Sequence, residues 1–357
     1  MGLSIRTMER ADIADVCQLL TKVFGDNSSL FPYWEQTLEW LYFSPEITDQ
    51  VPRGLVIADE HSIVGHIGLT LSEFTDGEQS FTVVQPENWA VDPDHKAGLL
   101  SLRLMMQAAS VGDVAIIIGG TQDTQRIVAK IGFEKQSGVD RYLKVMRPWA
   151  FLWMVRSRKQ LARNAGKLIM FLATSLLRFL QNRRPSQTKY RMQEMTGQLL
   201  DPNSALALGD STASPGRTVL RNTLKGAFLN WYRQCPRGSV RVLGFFHEGA
   251  WVGQAALIIG SRKGNCYATI LNVDASTEDE SVWINILGGV EDFLRKQGIT
   301  HINALGSYEP WRRALQQQGY CKLKNMPFWL RDKSHKLTGR HEWHLTAIEG
   351  DLGYLVE

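Results

Sequence analysis

The chain contains 357 residues, of which 44% are hydrophobic and 21% are charged. This is the composition of a folded globular protein with room for two domains, and it excludes disorder as the default state. The net charge of +4 is uneven, because eight basic residues and no acidic residue lie between Arg156 and Arg184, which leaves −4 on the rest of the chain.

The cysteines and the apolar runs exclude further classes of protein. Four cysteines lie far apart and form no C-x-x-C pair, so the sequence predicts neither a disulfide framework nor a zinc site. The N-terminal segment carries charges throughout and lacks the apolar core of a signal peptide. No apolar run approaches the roughly 18 residues that cross a bilayer. We therefore expect a cytoplasmic protein without a metal.

The first third of the chain alternates helix and strand patterns. Apolar residues at helical spacing predict a half-buried helix over residues 12–24. The further predicted elements are strands at 55–59, 62–72 and 79–91, a helix at 99–109, a strand at 114–120, a helix at 124–131 and a strand at 141–145.

The last third repeats this order of elements. Its predicted elements are strands at 241–246, 251–260 and 265–273, a helix at 282–297, a strand at 301–305, a helix at 310–318 and a strand at 328–331. Two units of one design, about 170 residues apart, are the simplest account of this repetition.

A basic segment and a polar stretch separate the two units. Residues 157–181 predict an amphipathic helix that either lies on the inner face of the cytoplasmic membrane or packs between the units with its cations in solvent. Residues 185–215 have the composition of a linker. The predicted division is a first unit at 1–148, a helix and linker at 149–214, a second unit at 215–335 and a C-terminal tail at 336–357.

The order helix, strand pair, long strand, turn and helix, buried strand, short helix and Gly132-Phe133 resembles the GNAT superfamily of acyl-CoA-dependent N-acyltransferases. The resemblance covers residues 1–148 well and 215–332 by element order. The whole chain is similar to tandem GNAT-like proteins that bacteria encode beside surface-polysaccharide genes. This implies an α/β fold with two GNAT-like mixed-sheet units in tandem, joined by the basic amphipathic helix and linker.

The resemblance also implies a donor site. In the superfamily the long strand pairs with the pantetheine arm of acyl-CoA, and the following turn binds the pyrophosphate. Acetyl-CoA or another acyl-CoA is therefore the expected donor, with Ala90 and Val91 on the pantetheine. The expected phosphate-binding residues are Lys96, Ala97, Gly98, Leu99, Leu100 and Ser101. Asp123 stands where relatives keep an Asn near the thioester, although a helix N-cap explains it equally well.

Some positions depart from the family pattern. Leu99 replaces a glycine that lets the backbone approach the phosphates. Val128 and, in the second unit, Leu315 replace a tyrosine that protonates the leaving thiolate in many members. The second unit also carries three acids after Asp274 and no glycine, so we expect it not to bind CoA there.

The candidate catalytic residues are Glu87 and His66. Glu87 precedes Asn88 and Trp89 on the long strand, where the family often holds a general base that takes a proton from the substrate ammonium. The alternatives are a solvated strand-end carboxylate for Glu87 and a core histidine for His66.

Aromatic residues supply the candidate acceptor-binding positions. Trp34 belongs to the aromatic cluster of residues 31–43, where the family forms its acceptor pockets, and Trp89 follows Glu87. Tyr308 and Trp311 follow the buried strand of the second unit and could stack on a sugar ring. Packing in the core is the alternative for these aromatic residues.

The resemblance implies a GNAT-type N-acyltransferase that moves an acyl group, expected to be acetyl, from acyl-CoA to an amino group of a small molecule or glycan precursor. One alternative is a Fem-type aminoacyl transferase, which would bind aminoacyl-tRNA. Another is a non-catalytic GNAT-like scaffold, which Leu99 and Val128 favour. No nucleic-acid partner is expected outside the Fem-type alternative.

Overall fold

The computed structural model describes residues 2–24, 34–44, 53–60, 62–95, 98–148, 188–195, 218–223, 226–262, 264–333, 335, 337 and 341–349. A short 3₁₀ helix at Arg10–Asp12 precedes the first α-helix. The α-helices of these ranges are α1 (Ile13–Phe24), α2 (Trp34–Phe43), α3 (Gly98–Ala108), α4 (Gln122–Lys130), α5 (Gly226–Arg233), α6 (Glu280–Lys296) and α7 (Glu309–Gln317). The predicted helix at 157–181 lies outside the described residues, and no helix within them is both long and apolar enough to span a bilayer.

The strands follow the predicted order and add several short ones. They are β1 (Ser4–Thr7), β2 (Gly54–Ala58), β3 (Ile63–Thr75), β4 (Ser80–Val91), β5 (Val114–Ile118), β6 (Glu134–Val145), β7 (Arg191–Glu194), β8 (Thr218–Asn222), β9 (Ser239–His247), β10 (Ala250–Arg262), β11 (Asn265–Ala275), β12 (His301–Gly306), β13 (Cys321–Asp332) and β14 (His341–His344). The expected α/β fold of two mixed-sheet units is confirmed.

One mixed sheet runs through both units, in the order β1-β2-β3-β4-β5-β13-β6-β12-β11-β10-β9-β7. The two units exchange their last strands at its centre. β13, from the end of the second unit, pairs with β5 of the first, whereas β6 of the first unit pairs with β12 of the second. The exchanged strands also pair with each other, so neither unit completes its sheet alone.

A pseudo-twofold relation connects the units down to individual residues. The pattern L-x-W-x-x-x-x-P occurs at residues 38–45 and 229–236, and V-G-x-x-x-L occurs at 64–69 and 252–257. Strand registers match as well, because Gly65 pairs with Val91 and Gly253 pairs with Ala275.

The start of the second unit differs from the sequence interpretation. β7 pairs with β9 as β1 pairs with β2, and the amides of Met8 and Met195 donate to the neighbouring strand in the same way. This strand lies within residues 185–215, which the composition had suggested to be linker. We therefore count β7 as the first strand of the second unit.

The units meet in an interunit core, defined here as the apolar cluster that includes Ala90 of β4, Ala256 and Ile258 of β10, and helices α1, α2 and α5. At its centre the indole rings of Trp40 and Trp231 stack with centroids 4.7 Å apart. Each indole N–H donates to the other residue's carbonyl oxygen, at 2.8 and 2.9 Å. We call the sheet faces that contact this cluster the interunit faces.

The C-terminal segment 341–349 is part of the core rather than a tail. β14 pairs with β8, and β8 pairs with the end of β3, so this segment connects back to the first unit. Its residues from Trp343 to Glu349 are buried. Phe74, Leu220 and Trp343 meet there in a further apolar cluster.

Candidate functional site

The first unit has a notch between β4 and β5. These parallel strands pair only at Val83 with Val114 and at Val84 with Ala115. Beyond these pairs β4 continues to Val91 and β5 to Ile118, and within the described chain no residue bridges the two edges. Backbone N–H and C=O groups that lack a strand partner are available to a ligand that binds as an added strand.

A bulge shapes β4 beside the notch. His66 pairs with Ala90 and Gly68 with Glu87, so β4 has one residue more than β3 over this interval. Asn88 takes the extra place with a φ of 51°, a conformation that costs a non-glycine residue energy. Its side-chain amide donates to the Tyr42 hydroxyl at 3.1 Å. A side chain at position 68 would overlap that hydroxyl, so glycine is required there.

His66 is fully buried on the interunit face. Its Nδ1 lies 3.1 Å from the carbonyl oxygen of Asn88, and because a carbonyl only accepts, the proton is assigned to Nδ1. The other ring nitrogen, Nε2, has no hydrogen-bond partner and presents a lone pair. Burial lowers the pKa of His66 to about 4, so the ring is neutral at physiological pH.

Glu87 lies on the same face as His66, within a row of polar side chains. Cross-strand partners share a sheet face, and Glu87 pairs with Gly68, two residues after His66. Gln85 and Thr70 form the next pair along this row. The Oε1 atom of Gln85 and the Oγ1 atom of Thr70 are buried without a hydrogen-bond partner. Strand register thus brings both predicted catalytic residues together.

The turn after β4 leads into the N-terminus of α3. Lys96 and Ala97 lie outside the described residues, and Gly98 is the first residue of α3. A Cβ at Gly98 would meet no atom within 4 Å. Leu99 is 77% exposed, which is unusual for a leucine. Leu100 and Ser101 are half-buried. The helix N-terminus offers free N–H groups and a positive dipole end to an anion.

Two carboxylates near this turn form ion pairs with the same lysine. Lys22 Nζ, at the end of α1, lies 2.7 Å from carboxylate oxygens of both Asp92 and Asp94. The hydrogen bond and charge of Lys22 lower the pKa of Asp92. One lysine balances one of the two carboxylates, so this group of three side chains keeps a net charge of −1.

The second helix at the notch is α4, and its N-cap is Thr121 rather than Asp123. The Thr121 hydroxyl accepts from the amide of Thr124 at 3.2 Å. Asp123 lies in the first turn with its side chain 84% exposed, paired with Arg126 at 3.4 Å. Val128 is fully buried in the core on the opposite sheet face from the interunit core.

The aromatic acceptor candidates do not converge. Trp34 belongs to the interunit core, whereas Trp89 packs on the opposite face with α3. Tyr308 and Trp311 are buried in the core of the second unit, where they pack against Trp283. Their polar atoms donate to Glu278 at 2.9 Å and to the carbonyl of Leu305 at 2.9 Å. This geometry matches the packing alternative for these two residues.

The equivalent notch of the second unit is filled by the segment 341–349. The amide of Ile348 donates to the carbonyl of Leu271 at 2.8 Å, and His344 Nε2 lies 2.6 Å from the carbonyl of Val273. On the β12 side, the amide of Leu345 donates to the Ser307 hydroxyl at 2.8 Å. The chain itself therefore occupies the place that a strand-like ligand would take.

We call the segment 341–349 the plug, and a buried ion pair lies beside it. Arg221 of β8 lies 3.2 Å from Asp274, whose strand position matches that of Ala90 in the first unit. Burial raises the pKa of Asp274, and the guanidinium of Arg221 opposes this rise. Among the described residues no group of His, Cys, Asp and Glu has the geometry of a metal site.

Sequence patterns missed the rest of the polar row, namely Thr70, Gln85 and the Tyr42–Asn88 pair. The spacing of Gly65 and Gly68 around His66 could have indicated this row. A glycine inside a strand often marks a position where a ligand or another part of the chain comes close to the backbone. The plug had no visible signal, because its strand is four residues long and pairs with a segment more than a hundred residues away.

The sequence matches no protein-family model, and no curated protein matches it either. Solved structures are similar in fold. A GCN5-related N-acetyltransferase from Anabaena variabilis aligns with a TM-score of 0.59 and 11% identity, over 92% of this chain and 72% of that one. One from Kribbella flavida aligns with a TM-score of 0.51 and 11% identity, over 92% and 70%.

Saccharomyces cerevisiae N-myristoyltransferase with bound myristoyl-CoA is also similar, with a TM-score of 0.56 and 9% identity over 92% of this chain and 82% of that one. Each alignment spans both units. The chain therefore has the fold of the GCN5-related N-acetyltransferases in a two-unit form, and the expected GNAT-like architecture is confirmed.

Proposed function

We propose that this protein is an N-acyltransferase that moves an acyl group from acyl-CoA to the primary amine of a small polar molecule or glycan precursor. The observation that carries the proposal is the notch between β4 and β5, with a bulge at Asn88 beside it. The second unit's equivalent notch is filled by residues 341–349, which supports one donor site per chain. The enzymatic neighbours support the same activity.

The donor would lie along the free edge of β4, with Ala90 and Val91 on its pantetheine arm. Its phosphates would lie at the N-terminus of α3, over Gly98 to Ser101. The side chain of Leu99, which stands where the superfamily has a glycine, is exposed to solvent. Acetyl-CoA and longer acyl-CoA donors would make the same contacts, because these contacts involve the pantetheine arm and the phosphates that all of them share.

Glu87 is the proposed proton acceptor. The amine nitrogen attacks the thioester carbonyl, the C–S bond breaks, CoA leaves as the thiolate, and the amine proton passes to Glu87 directly or through water. His66 cannot hold this proton at neutral pH, because burial holds its pKa near 4. Its Nε2 lone pair instead accepts a hydrogen bond from the amine and orients it.

Calorimetric titration of the full chain with acetyl-CoA and with myristoyl-CoA tests the donor site. We expect one donor per chain. The variant Gly98→Glu should abolish binding without unfolding the protein, because the added side chain has free space but brings a negative charge to the phosphates.

The matched control is Thr277→Glu, an exposed position in the corresponding turn of the second unit. It should bind the donor like the wild type. Binding lost in the control but kept in Gly98→Glu would move the site to the second unit. No binding of either donor to the wild type would favour the scaffold alternative.

A further inference from the structure

The interunit face of the second unit carries its own row of buried polar atoms without partners. They are Oε1 of Gln254, Oγ1 of Thr269 and Oδ1 of Asn272. Gln254 and Asn272 are 3% and 2% exposed, and Thr269 is 3% exposed. A buried polar group that forms no hydrogen bond costs about 1–3 kcal/mol, so three in one row require an explanation.

This row is the pseudo-twofold counterpart of the row at the proposed active site. Gln254 follows Val252-Gly253 as His66 follows Val64-Gly65. Asn272 pairs with Ala256, which corresponds to Gly68, so Asn272 takes the place of Glu87. Thr269 pairs with Ile258 and so corresponds to Gln85. The two rows occupy equivalent positions in the two halves of the sheet.

Both rows flank the same core. Ala256 and Ile258, the partners of Asn272 and Thr269, belong to the interunit core together with Ala90, the partner of His66. Since cross-strand partners share a face, both rows lie on sheet faces that contact this core.

A chain of hydrogen bonds leads from one row toward the other. Asn272 donates to the Thr346 hydroxyl at 3.4 Å, and that hydroxyl donates to Glu349 at 2.9 Å. Asn222 of β8 donates to the same carboxyl group at 3.1 Å. On the first unit's side, Gln85 donates to Ser72 at 3.3 Å.

The pairing of β8 with β3 connects Asn222, at one end of these hydrogen bonds, with the strand that carries Ser72, at the other end. Asn222 pairs with Phe74, and Phe74 and Leu220 face the same apolar cluster. By alternation, Ser72 and Asn222 share that face. The segment 344–349 thus links Asn272 of the second unit's row to β8, which pairs with β3 of the first unit.

We propose that Gln254, Thr269 and Asn272 form an acceptor-recognition surface that binds the hydroxyl groups of a polyhydroxylated amine, of the amino-sugar class, whose amine lies at Glu87. This rests on the proposed N-acyltransferase function. The three groups are neutral amides and a hydroxyl, and such groups pair with sugar hydroxyls, which both donate and accept. A ligand hydroxyl satisfies the polar atoms that the free protein leaves without partners.

The test compares two primary amines on six-membered rings, D-glucosamine and cyclohexylamine, with acetyl-CoA as donor and thiol release as readout. The wild type should have a kcat/KM at least tenfold higher for glucosamine. Thr269→Val and Asn272→Leu should each remove about tenfold of that preference through the KM for glucosamine. Turnover of cyclohexylamine and the affinity for acetyl-CoA should not change.

Thermal unfolding of the same variants separates binding from a structural role. Thr269→Val removes a buried polar atom without a partner and should leave the melting temperature equal or higher, whereas Asn272→Leu also removes the hydrogen bond to Thr346. A Thr269→Val protein that is at least as stable and less selective supports the proposal. Thr82→Val, at an exposed position of β4, is the control and should alter neither property.

Two results would overturn the proposal. One is equal kcat/KM for both amines in the wild type, which leaves the N-acyltransferase function intact. The other is a preference for glycylglycine that both variants share with the wild type, which assigns the surface no role and points to peptide amines.

If no amine is acylated, the proposed N-acyltransferase function fails, and calorimetric titration of glucosamine into the full chain then tests the surface. Binding that weakens tenfold in Thr269→Val supports the surface, and no binding refutes it.

Discussion

The carboxyl group of Glu349 is fully buried, and burial raises its pKa from 4.5 to about 7 despite hydrogen bonds from Thr346 and Asn222. The folded protein therefore binds a proton more tightly than the unfolded chain does. The stabilisation from this proton is complete below pH 4.5 and is lost as the pH rises through about 7. The difference corresponds to about 3 kcal/mol.

Glu349→Gln should remove this dependence. Denaturant unfolding at pH 5 and pH 8 should show that the wild type loses free energy of unfolding between the two, whereas the variant loses less and is the more stable protein at pH 8. Glu134→Gln, at an exposed carboxylate of β6, is the control and should keep the wild-type dependence. If Glu349→Gln and the wild type lost the same free energy of unfolding between pH 5 and pH 8, Glu349 would not be the group responsible.

Glu87 is the residue whose chemistry the proposed reaction needs most. Glu87→Gln should lower kcat by about 10²–10⁴, because the amide cannot take the amine proton. Affinity for acetyl-CoA and the melting temperature should stay at wild-type values. Glu78→Gln, in the exposed turn before β4, should react at the full rate. Full turnover of Glu87→Gln from pH 6 to 9 would leave water as the proton acceptor.

At the level of elements, periodicity predicted those that bury one regular face. The helix predicted at 12–24 is α1, and the strand predicted at 79–91 is β4, each correct to within a residue. β7 and β14 were missed, because each has only four residues, and the sequences RMQE and HEWH have no apolar alternation. The predicted strand at 141–145 was too short, because its first half gains pairing from β13, a partner that no local pattern specifies.

The site was predictable where its residues lie on neighbouring strands of one unit. Glu87 and His66 lie on adjacent strands of a single unit, so local order placed them together. The second unit's row and the plug depend on pairings across the pseudo-twofold axis. The two repeated patterns, L-x-W-x-x-x-x-P and V-G-x-x-x-L, would have located that axis from the sequence.

The exchanged strands are held together by charges at their centre. Asp140 of β6 is fully buried and lies 2.8 Å from Arg312 and 2.7 Å from Lys322, both of the second unit. Burial alone would raise the pKa of Asp140, but hydrogen bonds from Asn325 and Lys322 and the charge of Arg312 bring the net pKa below 3.8. These contacts make the strand exchange specific, since the carboxylate of one unit is matched by cations of the other.

For the whole molecule, the exchange and the interunit core imply that the two units unfold together. Each unit's half of the sheet contains a strand of the other unit, and the indole rings of Trp40 and Trp231 stack on each other, with each N–H donating to the other residue's carbonyl oxygen. Breaking either unit therefore exposes the core of the second.

Trp40→Ala tests this cooperativity. The substitution removes the stacked ring and leaves the carbonyl of Trp231 without its donor, so it should cost about 3–5 kcal/mol. Calorimetry should show one transition for the wild type and one, at lower temperature, for the variant. Fluorescence and far-ultraviolet circular dichroism should give the same midpoint. A variant in which the first unit melts early while the second keeps the wild-type midpoint would mean that the units are coupled through the chain alone, and the shared sheet would then contribute little to stability.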